Sequence, residues 1–294
     1  MPLGPLGIHA GVWGFDWSDE RAERAISGAS RAGFDLIEIP ALDPSRVDVA
    51  PTIRLLAKYG MNASVSLALD GNSDINTTNR ETSDIGESRL LAAVDFAERI
   101  GATFVGGVVY SAMRRYLELP SESARQNSLA VLRRVSMRAA RSGITLGIEY
   151  VNRYESNLLN TVDQTLLFIE ELGVENAAVH LDTFHAHIEE ADILSAIERA
   201  GLRLGYIHAS ESHRGELGTG SIDWVRVVET LVGIEYRQPM VVETFSPSVI
   251  SPAQSIEIGL WQTTWFDPDE LAFNAHQFLT NLYSRSTARH RVTT

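Results

Sequence analysis

Four residues with side chains that commonly bind metals each stand at the end of a short apolar run, and this pattern constrains the fold strongly. They are Glu149, Asp182, His208 and Glu243, separated by 33, 26 and 35 residues. Each separation fits one strand and one helix, the repeating unit of an α/β barrel. Parallel strands of such a barrel end at the same face, so we expect the four side chains to meet there.

The composition of this quartet favours a divalent cation. Three carboxylates around one point repel one another unless a cation lies between them. One imidazole among hard oxygen ligands favours Mn²⁺, Co²⁺ or a similar ion. The chain has no cysteine, which argues against a structural zinc site built on thiolates. Taken singly, each residue would more often be a helix cap, a loop hydrogen-bond acceptor or a core histidine, and only the shared spacing favours a metal site.

Apolar runs of strand length alternate with amphipathic segments throughout the chain. Eight runs are predicted strands: residues 7–12, 36–39, 63–67, 104–110, 145–150, 178–182, 204–208 and 240–244. Their nearly continuous hydrophobicity is typical of parallel strands buried on both faces. A barrel of this type needs about 250 residues, and the chain has 294. We therefore predict the α/β class, with residues 1–294 forming one (β/α)8 TIM barrel domain.

The segments between the strands have the apolar spacing of helices. The predicted helices are residues 19–32, 88–100, 122–142, 162–172, 193–200 and 268–283, and a glycine follows each of the first five. The basic, polar tail 285–294 is predicted to be frayed. The longest polar connection, residues 70–87, follows the third strand. We interpret it as a solvated loop, with an active-site lid as the alternative.

The charge of the chain excludes some classes of partner. A net charge of −13 gives no electrostatic attraction to a nucleic-acid backbone or an anionic membrane. No run approaches the ~20 apolar residues that span a membrane, and the N-terminal residues lack the features of a secretion signal. Together with the absence of cysteine, these features favour a cytoplasmic protein with a small-molecule substrate.

A second set of polar residues stands in the loops that follow three of the ligand-bearing strands. Glu155 follows Glu149, His185 follows Asp182 and Arg214 follows His208. Such loops build the active sites of barrel enzymes. Glu155 can accept hydrogen bonds, His185 can donate or accept them, and Arg214 offers several cationic donors. Such a set suits a polyol that carries a carbonyl group. Any one of them alone could be an ordinary surface charge.

Three motifs carry a resemblance to a known family. They read Glu-Tyr-Val-Asn-Arg-Tyr-Glu at 149–155, His-Leu-Asp-Thr-Phe-His at 180–185, and Gly-Tyr-Ile-His at 205–208 followed by Glu-Ser-His-Arg-Gly at 211–215. In this order they resemble the ketose 3-epimerases, which include the D-tagatose, D-allulose (psicose) and L-ribulose 3-epimerases of the xylose isomerase-like barrels. The resemblance extends over most of the chain. It departs from the family pattern at 186–187 and 209–210, which bears on the preferred sugar.

The resemblance implies roles for the residues identified above. One divalent metal per subunit, Mn²⁺ first and Co²⁺ or Mg²⁺ otherwise, would be bound by Glu149, Asp182, His208 and Glu243. Glu149 and Glu243 would also be the catalytic acid and base. Glu155, His185 and Arg214 would hold the O1–O3 end of a ketose, and Trp13 would line the sugar pocket, unless it is a core residue. The family also implies a homodimer or homotetramer.

The implied reaction is inversion of carbon 3 of a free ketohexose or ketopentose. One glutamate would remove the C3 proton and the other would return a proton to the opposite face, through an enediolate stabilised by the metal. The substrate pairs would be D-allulose/D-fructose, D-tagatose/D-sorbose or L-ribulose/L-xylulose. A related sugar isomerase or an inosose-type dehydratase is the main alternative. A non-catalytic sugar-binding protein is more remote, and the charge argues against a DNA-repair endonuclease.

Overall fold

Eight parallel strands close into a barrel in which each strand pairs with its neighbours in the sequence. The computed structural model describes residues 4–41 and 49–293, and side chains as far as Arg289. The strands are β1 Leu6–His9, β2 Leu36–Pro40, β3 Asn62–Ser66, β4 Phe104–Gly106, β5 Thr145–Glu149, β6 Ala177–Asp182, β7 Leu204–Ala209 and β8 Met240–Val242. Pairing of β1 with β8 closes the barrel, so the predicted α/β (β/α)8 fold is confirmed.

Helices cover the outside of the barrel. They are α1 Asp19–Ala32, α2 Val49–Tyr59, α3 Arg80–Ile100, α4 Glu122–Ala140, α5 Val162–Leu172, α6 Thr183–Glu189, α7 Ile193–Ala200, α8 Trp224–Gly233, α9 Pro252–Glu257 and α10 Pro268–Thr293. The last helix packs against α1 and α8, which joins the two ends of the chain. Within the described residues, no helix is both long and apolar enough to cross a membrane.

Local signals set the helix ends that the sequence predicts correctly. Helices α1, α5 and α7 match their predicted bounds. Thr161 and Gln164 form a reciprocal capping box at the start of α5, and Gly173 ends it in the left-handed conformation, with φ of 67°. These interactions are local in the sequence, so the pattern of residues is enough to locate them.

Three predicted helix boundaries are wrong, and one of them is the end of α4, which lies at Ala140 rather than residue 142. Helix α3 starts at Arg80 rather than residue 88, because the Asn79 side chain accepts a hydrogen bond from the Thr82 amide at 3.1 Å and caps the helix there. The irregular connection is therefore shorter than predicted, ending near residue 79. Its possible action as a lid stays a prediction.

The last helix is longer than predicted. It continues to Thr293 instead of ending at residue 283, so residues 285–293 of the predicted frayed tail are helical. No glycine or proline interrupts the segment. Its hydroxyl side chains bond back to the preceding turn, as Thr287 Oγ1 does to the Tyr283 carbonyl at 2.9 Å. Ser286 is buried. Thr294 lies outside the described residues.

The strands end earlier than predicted where the backbone must turn into the site. The fourth strand ends at Gly106 rather than residue 110, since Gly107 has φ of 109°, a conformation that a β-strand residue does not adopt. In the same way, residues Ala10–Val12 form a 3-10 turn after β1 instead of extending the strand. These bends turn the chain over the C-terminal end of the barrel.

Candidate metal centre

The four predicted metal ligands meet at the C-terminal end of the barrel. Glu149 and Asp182 close β5 and β6, His208 lies near the end of β7, and Glu243 follows β8. All four are at most 8% exposed. Their ligand atoms form overlapping triads, each within 4.8 Å, that also include His180 and His185. The geometry therefore brings together the residues that the strand-end pattern predicts.

Backbone pairing fixes these positions. Asp182 pairs with His208 across β6 and β7, and the Glu243 amide donates to the Ala209 carbonyl at 3.1 Å just beyond β8. Asp182 Oδ1 also accepts the Phe184 amide at 2.8 Å and caps α6, which leaves its Oδ2 directed towards the centre. One short side chain thus ends a strand, begins a helix and faces the site.

His208 lies between the two glutamates. Its Nδ1 is 3.2 Å from Glu149 Oε1 and 3.3 Å from Glu243 Oε1. Burial by itself would lower the pKa of His208, but the carboxylates of Glu243, Glu38 and Glu149 raise this pKa well above its usual value. Without a metal, the imidazole is therefore one of the cations that balance the buried carboxylates.

The two glutamates differ in their tendency to hold a proton. Burial raises the pKa of Glu149 to about 7, even though His208 opposes this shift. Burial also acts against ionisation of Glu243, but the charges of His208 and Arg214 hold the pKa of Glu243 below its usual value. Near neutral pH, the metal-free centre thus contains one carboxyl group that is partly protonated and one that is ionised.

These residues fit a divalent cation. The donor set consists of three carboxylates and one imidazole, all buried, whose ligand atoms belong to triads that share members. Hard cations of the Mg²⁺ and Mn²⁺ type prefer carboxylate oxygens, and a single imidazole is compatible with Mn²⁺ or Co²⁺. The charge of such an ion would replace the protons that this site otherwise retains. The cluster can therefore hold a metal.

The three predicted substrate-binding residues also lie beside this centre. His185 Nε2 is 3.5 Å from Asp182 Oδ2 and 3.9 Å from Glu155 Oε2. Burial lowers the pKa of His185 to about 3, so its ring is neutral. Burial raises the pKa of Glu155, whose Oε2 is buried without a hydrogen-bond partner among the described residues. Such an oxygen can accept a further hydrogen bond.

Arg214 brings a cation to the same centre. Its Nη1 lies 2.9 Å from Asp182 Oδ2 and also hydrogen-bonds to Glu243 Oε2. Its backbone has φ of 60°, a conformation that non-glycine residues seldom adopt. The guanidinium lies over the Phe184 ring, 4.1 Å from its centroid, which restricts its orientation. Arg214 thus presents fixed donors to the centre.

Glu211 holds the loop that carries Arg214. Its Oε2 accepts hydrogen bonds from the Trp224 indole at 2.8 Å and the Gly218 amide at 2.9 Å. Its Oε1 accepts the Ser212 amide at 2.8 Å. The Arg214 amide in turn donates to the Glu211 carbonyl at 2.9 Å. The conformation of Arg214 therefore depends on one carboxylate that bridges both ends of its loop.

The centre opens into a cavity of about 590 Å³, a size typical of small-molecule sites. The ligands Glu149, His208 and Glu243 line its floor, while Phe15 and Phe245 form part of its wall. Residues 67–73 after β3 and parts of α9 also border it. The mixture of apolar wall and polar floor suits a polyol bound by one end.

Trp13 does not line this cavity, and the prediction for this residue is wrong. Its indole Nε1 donates to Asp269 Oδ1 of α10 at 2.8 Å, and its ring packs closely against Gly28 of α1. Trp13 therefore joins two outer helices, the core role that was the alternative. The nearby Phe15 faces the cavity instead, with its ring centroid 5.0 Å from that of Phe245.

Sequence reasoning missed several residues of the site. Asn152 Nδ2 lies 2.9 Å from Glu155 Oε1 and 3.0 Å from His185 Nδ1, so it fixes both side chains. The buried residues packed around His208 are His9, Glu38, His180 and Tyr206. His9 and Glu38 lie at or near the ends of apolar strands, as the ligands do, so the same rule could have identified them. Asn152 gives no comparable signal.

Comparisons with known proteins agree with this geometry. Residues 26–269 match the family described as xylose isomerase-like TIM barrel. The chain is 41% identical to an L-ribulose 3-epimerase of Methylomonas sp. (strain DH-1), over 94% of this chain and 97% of that protein. It is 41% identical to a ketose 3-epimerase of Arthrobacter globiformis, over 93% and 95%.

A solved structure is similar over the same length. It is a D-allulose 3-epimerase from Methylomonas sp. in complex with D-allulose, with a TM-score of 0.93 and 40% identity, covering 96% of this chain and 98% of that one. The similarity therefore extends over the whole barrel rather than over the motifs alone.

Proposed function

This chain belongs to the ketose 3-epimerases of the xylose isomerase-like TIM barrel family, and we propose that it inverts carbon 3 of free ketoses at a metal centre. As a member of this family it is a carbohydrate epimerase, and hence an isomerase. The observation that carries the proposal is that Glu149 and Glu243 both contact His208. Glu149 ends β5 and Glu243 follows β8, and β6 and β7 lie between these two strands in the barrel.

The metal is proposed to be Mn²⁺, with Co²⁺ or Mg²⁺ as alternatives, held by Glu149, Asp182, His208 and Glu243. When bound, it would polarise the ketose carbonyl and stabilise negative charge that develops on O2 during removal of the C3 proton. The protein supplies a buried site of mixed oxygen and nitrogen donors. The chain has no cysteine, so no thiolate favours a softer metal ion at this site.

Glu149 and Glu243 are proposed as the two proton carriers. Inversion needs one group on each face of C3, because the proton leaves from one side and returns to the other. The two carboxylates come from β5 and from the residue after β8. Burial opposes ionisation of both carboxylates, whereas a bound metal would lower their basicity, so the two effects act against each other in setting how readily each glutamate holds a proton. The roles exchange in the reverse reaction.

Glu155, His185 and Arg214 are proposed to orient the O1–O3 end of the sugar. The free Oε2 of Glu155 can accept a hydroxyl, and the neutral ring of His185 can donate or accept. Arg214 contributes donors beside Asp182 and Glu243. Directional hydrogen bonds of this kind place C3 between the two glutamates.

The proposed substrates are free ketopentoses and ketohexoses. The relatives are named for L-ribulose and for ketoses, and a similar protein was crystallised with D-allulose. We propose the pairs L-ribulose/L-xylulose, D-allulose/D-fructose and D-tagatose/D-sorbose. We further propose that the protein is a cytoplasmic homodimer or homotetramer, without nucleic-acid or membrane partners.

The test is turnover in D₂O. Metal-stripped protein, with and without added Mn²⁺, would be incubated with D-fructose, D-tagatose and L-ribulose, and the products read by NMR and sugar chromatography. The proposal predicts C3 epimers that carry deuterium at C3, formed only with metal. Aldose products would indicate a C1–C2 isomerase instead, and the absence of conversion of every sugar would contradict the proposed activity.

A further inference from the structure

A buried carboxylate that is not among the four ligands lies beneath the metal centre. Glu38 on β2 is 1% exposed, and its neighbours in the sheet are His9 on β1 and Ser64 on β3. It belongs to none of the metal-binding triads formed by the described residues. A buried carboxylate is costly unless it is paired and hydrogen-bonded. Its partners therefore indicate its role.

Both close partners of Glu38 come from β7, across the interior of the barrel. His208 Nε2 lies 2.9 Å from Glu38 Oε2 and 3.1 Å from Oε1. The Tyr206 hydroxyl donates to Glu38 Oε2 at 2.7 Å. His9 is more distant, with its Nε2 3.7 Å from Oε1. The main contact of Glu38 is thus with one candidate metal ligand.

The two nitrogens of the His208 ring face opposite groups. Nδ1 faces the oxygens of Glu149 and Glu243, at 3.2 and 3.3 Å, whereas Nε2 faces Glu38. An imidazole that donates its Nε2–H to a carboxylate offers Nδ1 as the ligand atom and is held in one orientation. The contact with Glu38 therefore selects which nitrogen faces the centre.

Glu38 is itself held in place. The Tyr206 ring stacks on Phe104 with centroids 4.0 Å apart and an interplanar angle of 10°. Its hydroxyl is 2.6 Å from Ser64 Oγ. Because the Tyr206 hydroxyl donates its proton to Glu38, Ser64 must be the donor to Tyr206. A continuous series of hydrogen bonds thus runs from Ser64 through Tyr206 and Glu38 to His208.

We propose that Glu38 is a positioning residue of the metal centre, which holds His208 with Nδ1 as the ligand atom. Tyr206 and Ser64 support Glu38 in this role. Well-packed apolar residues often stabilise a core as well as a buried ion pair does. A role in stability alone would therefore not require the ion pair of Glu38 with His208 or the hydrogen bonds from Tyr206 and Ser64. The inference rests on the proposed metal site, but it does not depend on which sugar is the substrate.

The direct test is Mn²⁺ binding without sugar. Mn²⁺ alone would be titrated into the metal-stripped full chain and into Glu38→Gln, which keeps the size of the side chain but removes its charge. We expect Mn²⁺ to bind about 10- to 100-fold more weakly to the variant. A folded Glu38→Gln protein with an affinity within twofold of the original would overturn the proposal.

A pair of tyrosine variants provides a matched control. Tyr206→Phe removes a hydroxyl that supports Glu38, while Tyr110→Phe removes an equally buried hydroxyl that donates to the Leu159 carbonyl at 3.0 Å. We expect several-fold weaker Mn²⁺ binding only for Tyr206→Phe. If Glu38→Gln does not fold, this pair decides the question, and equal Mn²⁺ affinities in the two variants would contradict the inference.

The ligand atom can be observed separately. With ¹⁵N-labelled histidine and Zn²⁺ as a diamagnetic probe, we expect NMR to show His208 bound through Nδ1 and protonated at Nε2. Binding through Nε2 would refute the proposal. If the protein epimerises no sugar but Glu38→Gln still weakens Mn²⁺ binding, the positioning role stands and the proposed reaction fails.

Discussion

At the scale of single residues, Arg214 connects the sugar-binding residues to the metal ligands. It contacts Asp182 and Glu243 directly, and its Nη2 lies 3.2 Å from His185 Nε2. Burial opposes its charge, but Asp182 and Glu243 raise the pKa of Arg214 further. The guanidinium is therefore a permanent cation beside carboxylates that have to bind a metal and a sugar.

We predict that Arg214→Ala weakens ketose turnover by about 10- to 100-fold in kcat/KM, the effect of losing one or two charge-assisted hydrogen bonds. Steady-state kinetics at saturating Mn²⁺ would measure it, with circular dichroism as the check on folding. Unchanged KM and kcat would remove Arg214 from the site.

A second pair of residues tests the correction made for Trp13. Phe15→Ala removes part of the cavity wall, so we expect its KM to rise several-fold. Trp13→Phe should leave KM unchanged and lower the free energy of unfolding by about 1 kcal/mol, through the lost bond to Asp269. Kinetics and denaturant unfolding separate the two effects. A raised KM in Trp13→Phe alone would restore the original prediction for Trp13.

The sequence predicts the chemistry of side chains better than their direction. Glu149 and His208 could be identified because each closes an apolar run, which locates the end of a strand. Trp13 stands just beyond β1, where the 3-10 turn Ala10–Val12 redirects the chain. Which way a side chain points after such a turn depends on packing against α1 and α10, far away in the sequence.

At the scale of elements, the loop after β7 is organised by Glu211. We predict that Glu211→Gln destabilises this loop. Both oxygens of the Glu211 carboxylate accept hydrogen bonds from N–H groups, whereas the NH₂ group of glutamine is a donor and cannot accept them. The expected result is a rise in KM of several-fold and a loss of about 1–3 kcal/mol of stability. Kinetics and unfolding in urea would measure both. Wild-type values for both would show that Arg214 is held by other contacts.

Elements bounded by local signals could be predicted, and those bounded by distant contacts could not. Helix α5 has its capping box and terminal glycine within the helix sequence. Helix α3 is an exception, because its start is also set locally, by the cap from Asn79 to Thr82, but its polar first turn has the composition of a loop and hides this signal. The extension of α10 is polar as well, and part of its structure rests on contacts such as that of Arg289 with Glu229, 60 residues away.

At the scale of the whole molecule, barrel closure converts four distant segments into one centre. The order β1 to β8 follows from the repeating strand and helix pattern, so the meeting of the ligands could be predicted. The layer beneath them, in which Tyr206 reaches across to Ser64, could not be predicted in the same way. Contacts across the barrel depend on side-chain size and on strand stagger, and neither is encoded by spacing.

The pKa shifts predict how metal binding depends on pH. The folded-state pKa values of Glu149 and His208 lie above their usual values, so the metal-free folded protein binds more protons than the unfolded chain does. The contribution of these two groups to the free energy of unfolding therefore falls as pH rises from 6 to 8. A metal must displace those protons. We therefore expect the rise in Tm caused by a fixed Mn²⁺ concentration to be larger at pH 8 than at pH 6. Calorimetry would measure it, and a smaller rise at pH 8 would contradict the assignment.

The most direct test of the account is exchange of the C3 proton in Glu149→Gln and Glu243→Gln. Each purified variant, with saturating Mn²⁺ and confirmed metal content, would be incubated in D₂O with either epimer of the preferred ketose pair. The two-glutamate account predicts that epimerisation falls by at least about 10²-fold in both variants. It also predicts that any remaining deuterium uptake at C3 occurs in one epimer only, and in opposite epimers for the two variants. Epimerisation near the wild-type rate in either variant, or the same exchange pattern in both, would contradict it.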